Sequence, residues 1–211
     1  FKTNEYRELE GGEEYEPIEP NPMIGYRGCD RYIQEDDIFT LECKAIRMVR
    51  EKFAWKNLHV MIPFVRTVEE MRLIKDMMIK HGLKRTPNFK LFMMAEIPNN
   101  VFQLDNFIDV GIDGISIGSN DLTMLVMGVD RDNEHVAHIY DIHDKGPLMA
   151  LETIVKTCKR RKILCSICGQ APSQYPDITE KLVKWGATSV SVSPDMVDKT
   201  KIGRASCRER V

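Results

Sequence analysis

Short apolar runs rich in β-branched residues recur along the chain at residues 58–64, 90–95, 111–117, 163–167 and 188–192. Each is too short to be a helix by itself and reads as a strand. Amphipathic stretches fill the gaps. Residues 37–50 place Ile38, Leu41, Ala45, Ile46 and Val49 on one stripe, and Thr67-Val-Glu-Glu70 reads as a capping box that opens a helix running toward His81. Residues 100–108, 148–160 and 177–185 supply three more helical candidates, so the chain alternates strand, helix, strand.

Alternation of this kind implies a parallel sheet with right-handed crossovers. The predicted fold class is α/β, a partial (β/α)8 TIM barrel whose first strands are missing. A complete barrel takes about 250 residues, so the five visible units would lack the first two or three. A doubly wound open sheet is the structural competitor, because periodicity does not establish closure.

A chain of 211 residues with 43% hydrophobic content can bury one sizeable core. The expectation is one domain over residues 1–201, cut from a longer chain: position 1 is Phe rather than Met, and residues 1–20 are rich in glutamate with little apolar periodicity, which suits a loop. Residues 202–211 have neither helical nor strand periodicity and resemble a translated sequencing adapter, so they are set aside as a non-native tail. A frayed basic tail is the alternative.

A net charge of −2 with both signs interspersed argues against a nucleic-acid partner, which would need clustered Lys and Arg. No run has the length of a membrane span. The six cysteines show no spaced framework, which points to reduced thiols in a cytoplasmic protein.

The candidate chemistry gathers where apolar runs hand over to loops, the place where parallel α/β enzymes keep it. Glu96 ends one such run and Asp121 follows another, 25 positions later, about one strand-helix-strand step. Two carboxylates in one mouth suit Mg2+, which keeps its other positions for water and substrate oxygens; they could equally be solvated surface groups or helix caps. Gly118, Ser119 and Asn120 could present backbone N–H groups and an amide to an anion, or simply form a turn before an Asp121 N-cap for a helix over 122–126. Arg27 lies between Gly25 and Gly28, where the backbone can approach a ligand and a guanidinium can grip phosphate. Arg31 could reinforce it, and Arg66 reads either as a ligand for the same group or as an ion-pairing residue at a helix start. Cys165-Ser-Ile-Cys168 has redox or metal spacing, but no histidine pair complements it. In a strand the two thiols face opposite sides, which leaves Cys165 for packing and Cys168 for chemistry.

The wording of these segments is family-specific. Asn21-Pro-Met-Ile-Gly-Tyr-Arg27-Gly28, Ile62-Pro-Phe-Val-Arg-Thr67, Glu96-Ile-Pro98, Gly118-Ser-Asn-Asp121-Leu-Thr123, Asp130-Arg-Asp132 and Cys168-Gly-Gln170 occur in one order. Together they resemble the C-terminal barrel of the phosphoenolpyruvate synthase (pyruvate, water dikinase) family, whose relatives include pyruvate, phosphate dikinase and enzyme I of the sugar phosphotransferase system. The resemblance runs from about Phe1 to Lys201 and favours the synthase. It implies that Glu96 and Asp121 bind the Mg2+ that chelates pyruvate, and that Gly118, Ser119 and Asn120 contact the substrate. It further implies that Arg27 holds substrate and the migrating phosphoryl group, and that Cys168 carries the proton. Two departures stand out. Met124 occupies a place where many relatives have Gln, and Ser166 one where relatives often have Gly.

The implied reaction of the whole enzyme turns ATP, pyruvate and water into AMP, phosphoenolpyruvate and phosphate. Upstream ATP-binding and phosphohistidine domains of the same full-length chain would be its partners, since His59, His81, His135, His138 and His143 lie in none of the shared motifs. Relatives of this kind are commonly homodimers through the barrel. A metal-dependent pyruvate-enolate lyase or aldolase, which needs no phosphohistidine, is the alternative, and a non-enzymatic binding module fits the polar strand ends poorly.

Overall fold

The computed structural model describes residues 2–201. Two short helices, α1 (Thr3–Arg7) and α2 (Gly12–Tyr15), and then α3 (Cys29–Gln34) and α4 (Asp36–Glu51), precede the first strand. The rest alternates: β1 (Val60–Ile62), α5 (Val68–Lys80), β2 (Leu91–Ala95), α6 (Pro98–Phe102), α7 (Leu104–Asp109), β3 (Gly114–Gly118), α8 (Ser119–Met127), α9 (Lys145–Arg161), β4 (Leu164–Cys168), α10 (Ala171–Gln174), α11 (Pro176–Trp185) and β5 (Ser189–Val190). Every expected strand is present.

All strand pairs are parallel, and the sheet order is β1-β2-β3-β4-β5. Strand order that never reverses puts every right-handed crossover on the same face, whereas a doubly wound sheet reverses and carries helices on both. The doubly wound alternative is thereby removed. Among the described residues the sheet is open, with β1 and β5 at its edges, so the closed barrel is not formed here.

Period-two alternation sorts each strand between two environments. Leu91, Met93 and Ala95 of β2, Ile115 and Ile117 of β3, and Cys165 and Ile167 of β4 join Met71, Ile74, Phe107, Ile154, Val155, Ile178 and Leu182 in one core beneath the helices. The alternate residues face away from it. Register aligns Met94, Ser116 and Ser166 in one row across that second face, and Gly118 with Cys168 in the next.

The Thr67 box forms as read: the Glu70 N–H donates to Thr67 Oγ1 at 3.1 Å while Glu70 Oε2 accepts from the Thr67 N–H at 3.1 Å. Four expectations need correction. The stripe that α4 buries runs through Phe39, Cys43 and Arg50, and Leu41 stays 65% exposed. Arg50 takes the last place because its guanidinium donates to the carbonyls of Lys56, Leu58 and Asn88, closing the turn into β1. The 100–108 helix is two helices, because α6 is anchored to the β2 turn through Asn100 while α7 must bury Leu104, Phe107 and Ile108. Residues 1–20 are not simply a loop. There Thr3 Oγ1 donates to Glu19 at 2.6 Å and Glu16 receives Arg31, and these tertiary contacts stabilise helices that local pattern alone does not announce. Finally, α8 begins at Ser119, so Asp121 sits inside its first turn rather than at the cap. No helix among the described residues is long and apolar enough to cross a membrane. The tail at 202–211 lies outside the described residues.

Candidate active site

Glu96 follows the last residue of β2, and extending the β2–β3 register by one residue sets it opposite Gly118, which itself pairs with Cys168. Carboxylate, glycine and thiol thus form one row across three strands, on the face turned away from the helices. Gly118 is what joins them. A Cβ there would lie 2.7 Å from Glu96 Oε2 and 2.9 Å from Glu96 Cβ, so the missing side chain opens the space between acid and sulfur.

Glu96 is only 4% exposed. Its Oε1 accepts the Phe64 N–H at 2.6 Å, and Phe64 sits at φ +49°, a left-handed backbone uncommon for a bulky residue. Behind it, Asn100 Oδ1 accepts the N–H groups of Glu96 and Ile97 at 3.2 and 3.1 Å, and Asn100 Nδ2 donates to Val65 O at 2.7 Å. Asn100 thereby ties the loop after β1 to the turn after β2. Burial, and then the charge of Asp121, raise the Glu96 carboxyl to about 7; the Phe64 N–H and Arg27 oppose the rise.

This shift has a stability consequence. Below about 4.5 both folded and unfolded chains hold the proton; between about 4.5 and 7 the unfolded chain releases it first, so folding stability falls as pH rises through that window. The loss is on the order of 3 kcal/mol. Urea melts in metal-free buffer at the two ends of the window should show this slope in the wild type and lose most of it in Glu96→Gln.

Asp121 projects from the first turn of α8 and accepts Arg27 Nη2 at 2.8 Å. Arg27 also donates to Met23 O at 3.1 Å, and its guanidinium carbon lies 4.1 Å from the Phe64 ring centroid, a cation–π distance. A loop far upstream thus delivers its arginine to the carboxylate pair. Arg31 does not reinforce it: that guanidinium is taken by Glu16 and Glu35, a part-buried network that braces the loop instead.

Ser119 and Asn120 hold the thiol's turn. Ser119 Oγ donates to Cys168 O at 2.8 Å, and Asn120 Oδ1 accepts the Gln170 N–H at 3.4 Å. Between them Gly169 takes φ +96°, and a Cβ on it would fall 2.5 Å from Ser119 Oγ. Cys168 Sγ lies 3.4 Å from Ile117 O. Burial raises the thiol's pKa, a hydrogen bond with Ser116 lowers it, and the charges of Glu96 and Asp121 raise it again; the net effect is upward, which keeps the sulfur protonated near neutrality. Cys165 faces the opposite side, buried against Cys158, so the C-x-x-C spacing is not a chelate.

The residues fit a hard divalent ion. Two oxygen-donor carboxylates repel each other at close quarters, and no group of three or more His, Cys, Asp or Glu side chains is placed for a metal among the described residues. Carboxylate oxygens are donors of the kind a hard cation takes, whereas a closed zinc cage would need nitrogen or sulfur donors beside them. The structure thus brings Arg27, Glu96, Gly118, Ser119, Asn120, Asp121 and Cys168 together. The roles of Phe64 and Asn100 were missed, because a left-handed φ and a buried amide have no pattern in a sequence; Phe64 lay within the Ile62-Pro-Phe-Val-Arg-Thr67 motif and Asn100 in the Pro98-Asn-Asn stretch, but neither position announced its partner. Arg131 had no role in the sequence reading beyond its place in the Asp130-Arg-Asp132 motif. It borders a cavity of about 250 Å³ shared with Asn120, Tyr140 and Gln170, and its Nε is buried without a hydrogen-bond partner.

A parallel α/β domain with acids, an arginine and a thiol at successive strand ends defines a class, and comparison names it: the chain belongs to the family described as PEP-utilising enzyme, PEP-binding domain, which matches residues 2–208. It is 47% identical to the phosphoenolpyruvate synthase of Helicobacter pylori over 203 residues, 95% of this chain and 25% of that protein. Similar relatives are the phosphoenolpyruvate synthases of Aeropyrum pernix, 46% identical over 100% of this chain and 26% of the relative, and of Escherichia coli K12, 40% identical over 99% and 27%. The chain spans about a quarter of the length of the curated relatives it matches.

Proposed function

We propose that this chain is the pyruvate-binding, C-terminal catalytic part of a phosphoenolpyruvate synthase. It would house the half-reaction in which pyruvate loses a methyl proton and its enol oxygen takes a phosphoryl group from a phosphohistidine on another domain. The observation that carries the reading is the Glu96–Gly118–Cys168 row closed by Asp121 and Arg27. The five strands would be one arc of a (β/α)8 barrel, a reading supported by their unreversed, all-parallel order.

Glu96 and Asp121 are the residues that would hold Mg2+, which when bound supplies Lewis-acid stabilisation of charge on the keto oxygen. Arg27, freed from Asp121, grips carboxylate or phosphoryl oxygens with its guanidinium fork. Cys168 Sγ moves the proton at C3: the thiol delivers it to the enolate carbon on the way to pyruvate, and in the opposite direction the thiolate, the minor form at neutrality, takes it. Asn100 and the Phe64 N–H orient the Glu96 carboxylate, while Ser119 and Asn120 fix the sulfur's turn. The first turn of α8, at Gly118 to Asn120, offers N–H groups to the substrate carboxylate. ATP and the phosphohistidine would belong to other domains of a longer chain, consistent with the quarter-length match to the relatives.

Calorimetry tests the binding half. Oxalate, a planar mimic of the pyruvate enolate, should bind the chain only with Mg2+ present, and Asp121→Asn should weaken it at least about tenfold; metal-independent binding of equal strength would overturn the assignment.

A further inference from the structure

Arg66 stands two residues after Phe64, and its main chain is pinned on both sides. Its N–H donates to Glu70 Oε2 at 2.5 Å, and its carbonyl accepts Asn99 Nδ2 at 2.7 Å. The side chain reaches back across the sheet end to the loop that carries Arg27. Nη1 donates to Arg27 O at 3.4 Å, and Nη2 to Ile24 O at 3.4 Å and to Gly25 O. The guanidinium carbon lies 4.7 Å from the Phe64 ring centroid, the same ring that carries Arg27 at 4.1 Å. None of these side-chain contacts is with a carboxylate. The charge therefore serves three backbone carbonyls and one aromatic face, an arrangement that needs a planar fork with several donors rather than a point charge.

We propose that Arg66 is a positioning residue for Arg27. It clamps the 24–27 backbone onto Phe64, so that the Arg27 guanidinium enters the site beside Asp121 with its torsions already restricted and meets anionic oxygens at a smaller entropic cost. Phe64 is the pivot, because its N–H holds Glu96 while its ring seats both arginines. The loop bearing Arg27 and the acid from β2 are thus set against one residue, and Arg66 is the bolt between them. This inference rests on the functional reading above for its ligand, not for its geometry.

A double-mutant cycle tests it in the presence of Mg2+, with oxalate as probe. Arg66→Ala should weaken binding about tenfold in the wild-type background and have no further effect in the Arg27→Ala background, since it acts through Arg27. Arg66→Lys, which keeps the charge and the aliphatic stem, should show a smaller effect of the same sign and guards against a misfolded alanine variant. Additive losses, or no loss in either single variant, would overturn the role. The second readout needs no ligand. Hydrogen exchange of the Arg27 guanidinium protons, followed by NMR, should be slow in the wild type and accelerate in Arg66→Ala and Arg66→Lys; unchanged exchange sinks the positioning claim. If the wild type binds no oxalate yet Arg27 exchange still depends on Arg66, the functional reading fails and the clamp stands.

Discussion

Replacing Cys168 with alanine should slow exchange of the pyruvate methyl protons with solvent by about 10²–10⁴-fold, the usual contribution of a positioned acid–base group. The reason is placement. The sulfur sits in register with Gly118 on the same face as Glu96, and its turn is fixed by Ser119 and Asn120. Its thiol donates to the Ile117 carbonyl and accepts from Ser116, so removing it should leave the carboxylate pair and Arg27 where they are. Oxalate affinity in the presence of Mg2+ should therefore change by less than about threefold. Deuterium loss from methyl-labelled pyruvate, followed by NMR, reads the first quantity, and calorimetry reads the second. Equal loss of both would mean that the thiol holds the site together rather than moving a proton. Cys165→Ala is the matched control: that thiol is buried on the helix side, so its loss should cost stability and leave the exchange rate of the folded protein near wild type.

Gly28→Ala should be the most damaging single methyl in the chain's site. Gly28 has φ +68°, and a Cβ on it would meet Phe64 Cβ at 2.4 Å, Pro63 O at 2.8 Å and Phe64 Cα at 3.2 Å. Backbone atoms cannot swing aside as a flexible side chain can. At φ +68° and ψ −137° the backbone lies outside the left-handed helical region, in territory that glycine alone adopts readily; this costs another residue about 1–3 kcal/mol, and overpacking adds about 1–3 kcal/mol, so a destabilisation of about 4 kcal/mol is expected. The functional cost should exceed the structural one. Cys29 N–H donates to Pro63 O at 2.9 Å just beside the clash, and pushing the strand-end loop away moves Phe64, with it the N–H on Glu96 and the ring under Arg27. Folded variant protein should bind oxalate weakly even at temperatures where it remains native. Gly128→Ala provides the contrast, because its backbone at φ +64° and ψ +35° is the ordinary left-handed helical region and nothing lies within 4 Å of the added methyl; it should show only that region's smaller cost, about 1 kcal/mol, and unchanged binding. If the two variants melt alike, the close approach of Gly28 to Phe64 is not as described.

Much of the site was readable in the chain because strand ends and turn residues announce themselves locally. Glu96, Asp121 and Cys168 each terminate an apolar run, and Arg27 lies between glycines that permit close approach. What escaped reading were the residues that act through partners distant in sequence. Asn100 bridges to Val65, 35 residues away, and Phe64 donates to an acid 32 residues on. Arg31 looked like a second ligand arginine until Glu16 and Glu35 were found against it. The buried stripe of α4 was misplaced for a related cause: Arg50 lies on it, and a charged residue turns inward only where carbonyls such as Lys56, Leu58 and Asn88 are presented to it.

The chain by itself determined its alternating units, the parallel class, the positions of the chemical groups at strand ends and the capping of α5, since period, capping and turn preference are properties of a few neighbouring residues. Only the tertiary structure decided the unreversed strand order, the row that sets Glu96 and Cys168 either side of a bare glycine, and the pairing of Arg27 with Asp121, which lies 94 residues away. Those depend on register and on charges brought together by packing. Local sequence does not encode them, because burial and proximity exist only once the sheet has formed.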